Sequence, residues 1–513
     1  MDRLPQEIVD LIASFLFPEI RLSSSDEDEE GWTPYAKSPK PEPSLAPFAT
    51  ISRAWQAAVE RRTFQSIKFD SEDLPAFKQA LTLHRYLRLK RMIFTVILPS
   101  YDTVAASKVE TQQDRSANSQ AYSDALQSLF EILKSSELGQ PRSHSLELFI
   151  NHPESRSDIQ WSASRGISGS DGQIYEGRYF HSYIDVYNPD KLPQLHHVTR
   201  FFMKMPKDQL GHRMLYPRVP IQIVSKLPNV ESFCIDVNDN ERLYIRQRRE
   251  HRRELAEQIQ KLSLPRLKTA DLHFLYSSPE DHRYLPPMLH PTTEFDLLSS
   301  VCHSFSQGLV ELSLNGVLDI SALQPISGCG VTLWPNLEQL DIHFHQVRPF
   351  GGWYFTGTPP IHLPEREPQS EIIEEDVNEG FHFHQEMAAI GMQPTCYFRS
   401  KPDDGSISPM VDAFADAVAH MPKIRNAMIH STLVKGNFAP EWFVVAYVAP
   451  CKNPDTCQGK CNRSKERNLI LDLQGWDPSE QLMRKLQSIG SKFYDRDLLE
   501  ESMDEFLSRN GKM

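Results

Sequence analysis

The chain has 513 residues, of which 40% are hydrophobic and 24% charged, and its formal net charge is -13 at pH 7. This length and composition allow a sizeable core and roughly two to four structural units. The acidic balance argues against broad nucleic-acid binding, because affinity for phosphates depends on many Lys and Arg contacts. The chain has seven cysteines, which is a sparse and odd number. We therefore expect free thiols in a reducing compartment and no disulfide framework.

The amino terminus carries three acidic residues within its first ten positions, Asp2, Glu7 and Asp10, which argues against a signal peptide. The longest apolar run, residues 442–449, is too short to span a membrane. We therefore expect a cytoplasmic or nuclear protein, with neither a membrane nor a nucleic acid as its partner.

Two amphipathic stretches open the chain. Residues 4–16 place a proline near the start and then apolar residues at helical spacing, which predicts a helix of about three turns. Residues 45–59 repeat the stripe and predict a second short helix. The acidic and proline-rich residues 17–44 between them are predicted to form a disordered insertion. An N-terminal helical cap on a larger core is the alternative interpretation.

The residue identities in the two stretches are more specific than their periodicity. Residues 4–8 read Leu-Pro-x-Glu-Ile, and residues 52–55 read Ser-Arg-x-Trp. This ordered pair resembles the F-box, and residues 60–69 look like the segment that follows it in fungal members of the family. The resemblance covers residues 1–69 and departs from the family in the long insertion. It implies helices that dock against a Skp adaptor, which links the receptor to cullin, through Leu4, Pro5, Ile8, Ile12, Leu45, Ile51 and Trp55.

A short sequence motif, here called the phrase, recurs in the rest of the chain. Copies begin at Leu192, Leu227, Leu264, Gly308, Trp334 and Met421, five of them in the form apolar-Pro-x-apolar, and run into alternating apolar residues. Helical stretches lie between copies, so the unit is helix, turn and strand. We predict an α/β fold in which residues 70–500 form an irregular leucine-rich-repeat-like solenoid, with a candidate division near residue 290. A generic α/β domain whose strands begin with this phrase is the alternative.

The last hundred residues show a different pattern. Residues 440–449 read as a buried strand and residues 468–473 as its hairpin partner, with a polar loop over residues 451–467 and two helices after it. Cys451, Cys457 and Cys461 lie in that loop and are candidate zinc ligands if a fourth ligand comes from elsewhere, although their spacing lacks the usual Cys-x2-4-Cys pair. A plain hairpin loop is the alternative.

Two further patterns have a functional and a structural interpretation. His343-x-His345 and His382-x-His384 would each place two imidazoles on one strand face, as a metal-dependent enzyme of the cupin type requires, or they are ordinary strand histidines. Six arginines between residues 242 and 253 lie on a helix predicted over residues 240–262. They would contact phosphates or an acidic partner, or form a solvated helix with Glu-Arg pairs.

The aromatic loop Trp353, Tyr354 and Phe355 follows two glycines and a predicted strand. This position favours contact with a substrate at the rim of the predicted sheet. Packing of the three rings in the core is the alternative. Together these features predict a non-catalytic substrate-recognition subunit of an SCF-type (Skp-cullin-F-box) ubiquitin ligase, without a cofactor. Its partners would be the Skp adaptor, cullin through that adaptor, and a protein substrate. The alternatives are an F-box protein that acts outside a ligase and, more distantly, a metal-dependent enzyme that uses the His-x-His strands.

Overall fold

The computed structural model describes residues 5–16, 46–138, 144–158, 178–179, 182–205, 213–241, 243–290, 295–324, 334–360, 387–434, 440–451, 465–494 and 496–510. The chain divides into two compact units. The first comprises Met1–Glu231 with Leu264–Arg266, and the second comprises Ser232–Ser263 with Leu267–Met513.

The described part of the first unit alternates helices and short strands. Its helices are α1 (Gln6–Leu16), α2 (Ala46–Ala49), α3 (Arg53–Thr63), α4 (Leu74–Ala80), α5 (Leu83–Tyr86), α6 (Thr103–Ala106), α7 (Gln112–Glu137) and α8 (Arg218–Val224). Its strands are β1 (Ser66–Asp70), β2 (Arg91–Thr95), β3 (Ile97–Leu98), β4 (Leu146–Ile150), β5 (Glu154–Ser155), β6 (Tyr183–Ile184), β7 (Val198–Met203) and β8 (Met214–Leu215).

The main sheet of the first unit is parallel and has the order β1-β2-β4-β7. The pairs β3-β5 and β6-β8 are separate, short and also parallel. Helix α7 begins with a capping box, in which the hydroxyl of Thr111 accepts from the backbone N–H of Asp114 and the Asp114 carboxylate accepts from the backbone N–H of Thr111. Two otherwise unsatisfied donors at the start of the 26-residue helix are thereby paired.

The second unit continues the same alternation with longer strands. Its described helices are α9 (Ile245–Lys261), α10 (Leu297–Phe305), α11 (Asp404–Ala419), α12 (Glu480–Gln487) and α13 (Met503–Asn510). Its strands are β9 (Ser232–Asn238), β10 (Thr269–Leu275), β11 (Glu311–Gly316), β12 (Gln339–Phe344), β13 (Phe355–Thr356), β14 (Lys401–Pro402), β15 (Asn426–Leu433), β16 (Glu441–Val448), β17 (Arg467–Asp472) and β18 (Leu498–Glu501).

The sheet of the second unit is mostly parallel, in the order β9-β10-β11-β12-β15-β16-β17-β18. Strands β9 to β12 and β15 run parallel, β16 is antiparallel to both of its neighbours, and β18 pairs parallel with β17. The predicted α/β class and the predicted hairpin of residues 440–449 with 468–473 are therefore confirmed. The short pair β13-β14 lies outside this sheet.

One face of the parallel strands is the core and the other is partly open. In β10, Ala270, Leu272 and Phe274 are buried, whereas the alternate residues remain partly accessible. Strands β11, β12 and β15 follow the same alternation. Successive side chains of a strand point to opposite faces, so the apolar set covers one face and the polar set covers the other.

The recurrent phrase of the sequence leads into a parallel strand at every copy. The copies that begin at Leu192, Leu227, Leu264, Gly308, Trp334 and Met421 lead into β7, β9, β10, β11, β12 and β15. The apolar residue that follows the proline by two positions is buried in the copies with Leu195, Val230, Leu267 and Leu337. The phrase is thus a turn that buries one apolar side chain and then begins a strand.

Within the described ranges, no helix combines the length and apolar character needed to cross a membrane.

Candidate functional site

Helices α1, α2 and α3, here called the helix trio, contain or adjoin the described members of the predicted adaptor-binding set. Ser52 caps α3, because its side chain accepts a hydrogen bond from the backbone N–H of Trp55. Pro5 precedes α1, and its carbonyl accepts from the N–H of Ile8. Leu4 and Leu45 lie outside the described residues.

The helix trio has its own small core. Val9 and Ala13 of α1 are buried against Trp55 and Ala58 of α3. Phe48 of α2 packs against the same cluster, with its ring centroid 5.8 Å from that of Trp55. Helices α1 and α3, separated by residues 17–52, therefore share one apolar interface. Trp55 is 8% exposed and belongs to this interface.

Polar contacts fix the crossing of α1 over α3. The Gln6 side-chain amide donates to the carbonyl of Ala54 over 3.0 Å, and the guanidinium of Arg62 donates to the carbonyl of Ala13 over 2.7 Å. Arg61 pairs with Asp10. Because each contact joins the two helices at a different level, they define the rotation of one helix against the other.

Apolar side chains of the helix trio and of the residues next to its helices are exposed. Ile8, Leu11 and Ile51 are 42%, 52% and 44% exposed, and Pro5 is exposed as well. Ile12 is half-buried and packs against the trio core. Ile8 and Leu11 are three residues apart in α1, so they share a face. The structure therefore separates the predicted contact residues into a surface set, Pro5, Ile8 and Ile51, and a core set, Ile12 and Trp55.

The aromatic loop of the second unit is placed in the interior. Trp353 is 6% exposed, Tyr354 and Phe355 are buried more deeply, and the Trp353 indole N–H donates to the carbonyl of Tyr284 over 2.9 Å. The Tyr354 hydroxyl donates to the carbonyl of Leu318 over 2.8 Å. These positions agree with the packing alternative, since little of the three side chains is left for a substrate to contact.

The candidate metal ligands are not brought together in the described part of the chain. Cys451 is half-buried, whereas Cys457 and Cys461 lie outside the described residues, as do His382 and His384. Among the residues that the structure describes, no group of three or more His, Cys, Asp or Glu side chains is arranged to hold a metal ion. His343 lies on β12 within a row of strand residues.

The arginine-rich helix differs from the solvated helix expected from its sequence. Arg248 and Arg252 of α9 are buried and form ion pairs with Asp239, at 3.0 and 2.5 Å. Arg252 also reaches Asp296 at 2.8 Å. The exposed Arg253 pairs with Glu250 and Glu257 of its own helix, as expected. Sequence reasoning missed the buried pairs because their carboxylates lie at the end of β9 and at the start of α10.

The charges of this buried network shift the pKa values of its carboxyls in opposite directions. Burial opposes ionisation of Asp296, but Arg252 and His290 outweigh it and hold the pKa of Asp296 below its usual value. Burial and the neighbouring Asp296 charge raise the pKa of Asp319 to about 6. Asp296 is therefore firmly ionised, whereas Asp319 is protonated in mildly acidic solution.

A second buried network lies in the first unit. The Asp158 carboxylate accepts from the Tyr101 hydroxyl at 2.7 Å and from the Arg213 guanidinium at 2.6 Å, and Arg213 also donates to Glu110 at 2.7 Å. The guanidinium of Arg178 lies 4.0 Å from the centroid of the Tyr101 ring. Two arginines and two carboxylates balance each other here, so this cluster stabilises the fold and presents no net charge to a ligand.

The sequence matches no protein-family model, and neither a curated protein nor a solved structure matches the chain.

Proposed function

We propose that the chain is the substrate-recognition subunit of an SCF-type ubiquitin ligase, in which the helix trio is an F-box. Through residues 1–69 it binds a Skp adaptor, and through that adaptor it joins cullin. The remaining chain holds a protein substrate, and the proposed role requires no reaction chemistry from this chain.

One observation carries the proposal. The helix trio buries Val9, Ala13 and Trp55 in its own interface, yet leaves Ile8, Leu11 and Ile51 at the surface. Removing apolar area from water contributes about 25 cal/mol per Å2, so a partner that covers these side chains gains binding free energy. Helices that present apolar anchors at spacings of three and four residues are a common form of protein recognition surface. The resemblance of residues 4–8 and 52–55 to the F-box supports an adaptor as that partner.

For residues 70–500 we propose an irregular leucine-rich-repeat-like array. Six copies of the strand-entering phrase support it, as does the presence of a helix before several copies, such as α8 before β9 and α10 before β11. Long and unequal connections make the array irregular. Such arrays expose one strand face along many repeats, which suits recognition of an extended partner.

The proposal is tested by affinity purification of the full chain with a purified fungal Skp adaptor and cullin. Ile8→Asp and Ile51→Asp should each lower adaptor recovery at least about tenfold, because a charge would be buried in an apolar contact. Val104→Asp is the matched control, since Val104 is exposed and apolar but lies outside the helix trio. Circular dichroism of every variant should match the parent chain.

The outcomes separate the candidate functions. Recovery of the adaptor together with cullin supports the ligase. Recovery of the adaptor alone supports an F-box protein that acts outside a ligase. Undiminished adaptor recovery by both aspartate variants, or failure of the parent chain to bind the adaptor, would remove the F-box assignment.

A further inference from the structure

A row of polar side chains crosses the partly open face of the second unit's sheet. Its members are the fifth residues of five parallel strands, and strand register places each beside the next: Asp236, His273, Asn315, His343 and His430. The alternate residues of these strands form the apolar core on the opposite face.

Three aromatic rings lie together at one end of the row. The imidazoles of His343 and His430 are stacked, with centroids 4.6 Å apart and planes 10° from parallel. The indole of Trp442 on β16 lies 5.6 Å from His430 and 6.1 Å from His343. Trp442 is 45% exposed, although it neighbours two half-buried rings. We call these three side chains the aromatic platform.

A carboxylate adjoins the aromatic platform. Asp341 lies two residues before His343 on β12, so both side chains are on the same face. Oδ1 of Asp341 is 2.9 Å from Nε2 of His430, and 47% of the Asp341 side-chain surface is exposed. The platform thus has an exposed indole and an exposed carboxylate on the same side of the sheet.

The charged side chains of the surrounding strands are all acidic. Strands β9 to β12 and β15 contain no Lys or Arg, and their charged residues are Asp236, Asp271, Glu311 and Asp341. Burial and the neighbouring imidazoles of His430, His345 and His273 keep the pKa of His343 well below its usual value, so this ring stays neutral near pH 7. The face therefore attracts cations and repels phosphates.

We propose that the aromatic platform and Asp341 bind an arginine side chain of a protein partner. A guanidinium stacks its flat face on the Trp442 indole and donates to the Asp341 carboxylate, a combination that its planar shape and five donors allow. The partner is an extended basic segment that runs across the row. This inference deepens the proposed function, because it rests on that function for the statement that the partner is the substrate.

The packing next to the platform favours an extended segment over a globular surface. Met503 and Phe506 of α13 pack on the same sheet face over β16 and β17, against Val444 and Met428. Since Val444 is the register partner of His430, α13 forms a wall beside the platform. A chain lying along the row would meet the wall at one end and the carboxylates of β9 and β10 towards the other.

The test uses the full chain and a short fluorescein-labelled peptide of repeated Gly-Ser-Arg units, with analogues in which Lys, Gln or Glu replaces each Arg. Fluorescence anisotropy measures Kd at physiological salt. We expect the Arg peptide to bind at least about tenfold more tightly than the Gln peptide, and the Glu peptide to bind least. Trp442→Ala and Asp341→Asn should each weaken binding of the Arg peptide about tenfold.

Two matched controls distinguish a site from general charge attraction. Phe493→Ala removes another exposed aromatic ring, and Asp124→Asn removes another exposed carboxylate, whose side chain accepts from Gln120 in α7. Both should leave Kd unchanged, and thermal unfolding should show that every variant is folded. Equal affinity for the Arg and Gln peptides, or an equal effect of Asp124→Asn and Asp341→Asn, would overturn the proposal.

The experiment is independent of the adaptor. Ile8→Asp should bind the Arg peptide as the parent chain does, even where it no longer binds the adaptor. Peptide binding without adaptor binding would therefore refute the F-box proposal and leave the arginine site standing. Adaptor binding without peptide binding would do the reverse.

Discussion

Arg252 and Asp296 are joined inside the second unit by a hydrogen bond of 2.8 Å from the guanidinium to Oδ2, and neither side chain is accessible to solvent to any useful extent. Arg252 also donates to the carbonyl of Val317 over 3.1 Å. The pair therefore ties α9 to the start of α10 and to the segment after β11. A charged group held in this way is costly to leave without its partner.

Arg252→Met is expected to lower the free energy of unfolding by about 3–5 kcal/mol, because Asp296 and Asp239 would remain buried without their shared cation. Arg253→Gln, one position further along the same helix, should change it by less than about 1 kcal/mol, since its ion pairs with Glu250 and Glu257 are exposed. Urea unfolding followed by circular dichroism measures both. Equal effects would show that the buried network contributes no more than a surface ion pair.

Asp319 should make stability depend on pH. Because its pKa is raised to about 6 in the folded chain, the folded state binds this proton more tightly than the unfolded state does. The corresponding stabilisation is complete below about pH 4 and is lost as pH rises through about 6. Relative to Asp319→Asn, the parent chain should lose on the order of 2–3 kcal/mol between pH 4 and pH 7. Parallel stability profiles for the two chains in urea titrations would contradict this.

Two tryptophans of the second unit should respond in opposite ways to truncation. Trp353→Ala is expected to cost about 3–5 kcal/mol, because it opens a cavity and leaves the carbonyl of Tyr284 without its donor. Trp442→Ala should cost less than about 1 kcal/mol, since nearly half of its surface is exposed. Differential scanning calorimetry compares the two. A large loss of stability for Trp442→Ala would mean that its indole serves the fold more than a ligand.

Deletion of residues 20–42 should leave adaptor binding intact. The helix trio is held by Val9, Ala13, Trp55 and Ala58, and the entropy of closing a loop changes by only about 0.6 kcal/mol per doubling of its length. The shortened chain should therefore bind the adaptor within about threefold of the parent in a titration. Complete loss of binding, with the helix content retained, would assign the insertion a direct role in the contact.

The sequence predicts those parts of the fold that depend on neighbouring residues. The proline phrase at Leu227 is followed by β9 and the one at Trp334 by β12, because a turn and an alternating apolar strand are both local patterns. The α1 and α3 helices are likewise evident from their apolar stripes. What the stripe alone does not reveal is which apolar residue remains exposed. Ile8 and Val9 are adjacent, yet only Val9 is buried, and that choice depends on Trp55.

Features that depend on distant pairing were not predictable. Arg252 looks like any arginine of a charged helix until the fold brings Asp239 and Asp296 beside it. Trp353 looks like a surface aromatic because it follows two glycines, but the carbonyl of Tyr284, some 70 residues earlier, receives its indole N–H in the interior. His343 and His430 are stacked only because β12 and β15 pair in a particular register.

The constant register of the parallel strands has a consequence for how this protein can diversify. The connections between β9, β10, β11, β12 and β15 differ greatly in length, yet the fifth residue of each of these five strands falls in the same row. The register of each strand with its neighbour is therefore set where the strand begins and does not depend on the length of the preceding loop. A substitution at a fifth position, such as Asn315, alters one place in the row and leaves the apolar positions of its strand untouched. Selection can thus change the side chains of this face one strand at a time. Insertions can accumulate between strands without changing the order of the side chains along the row.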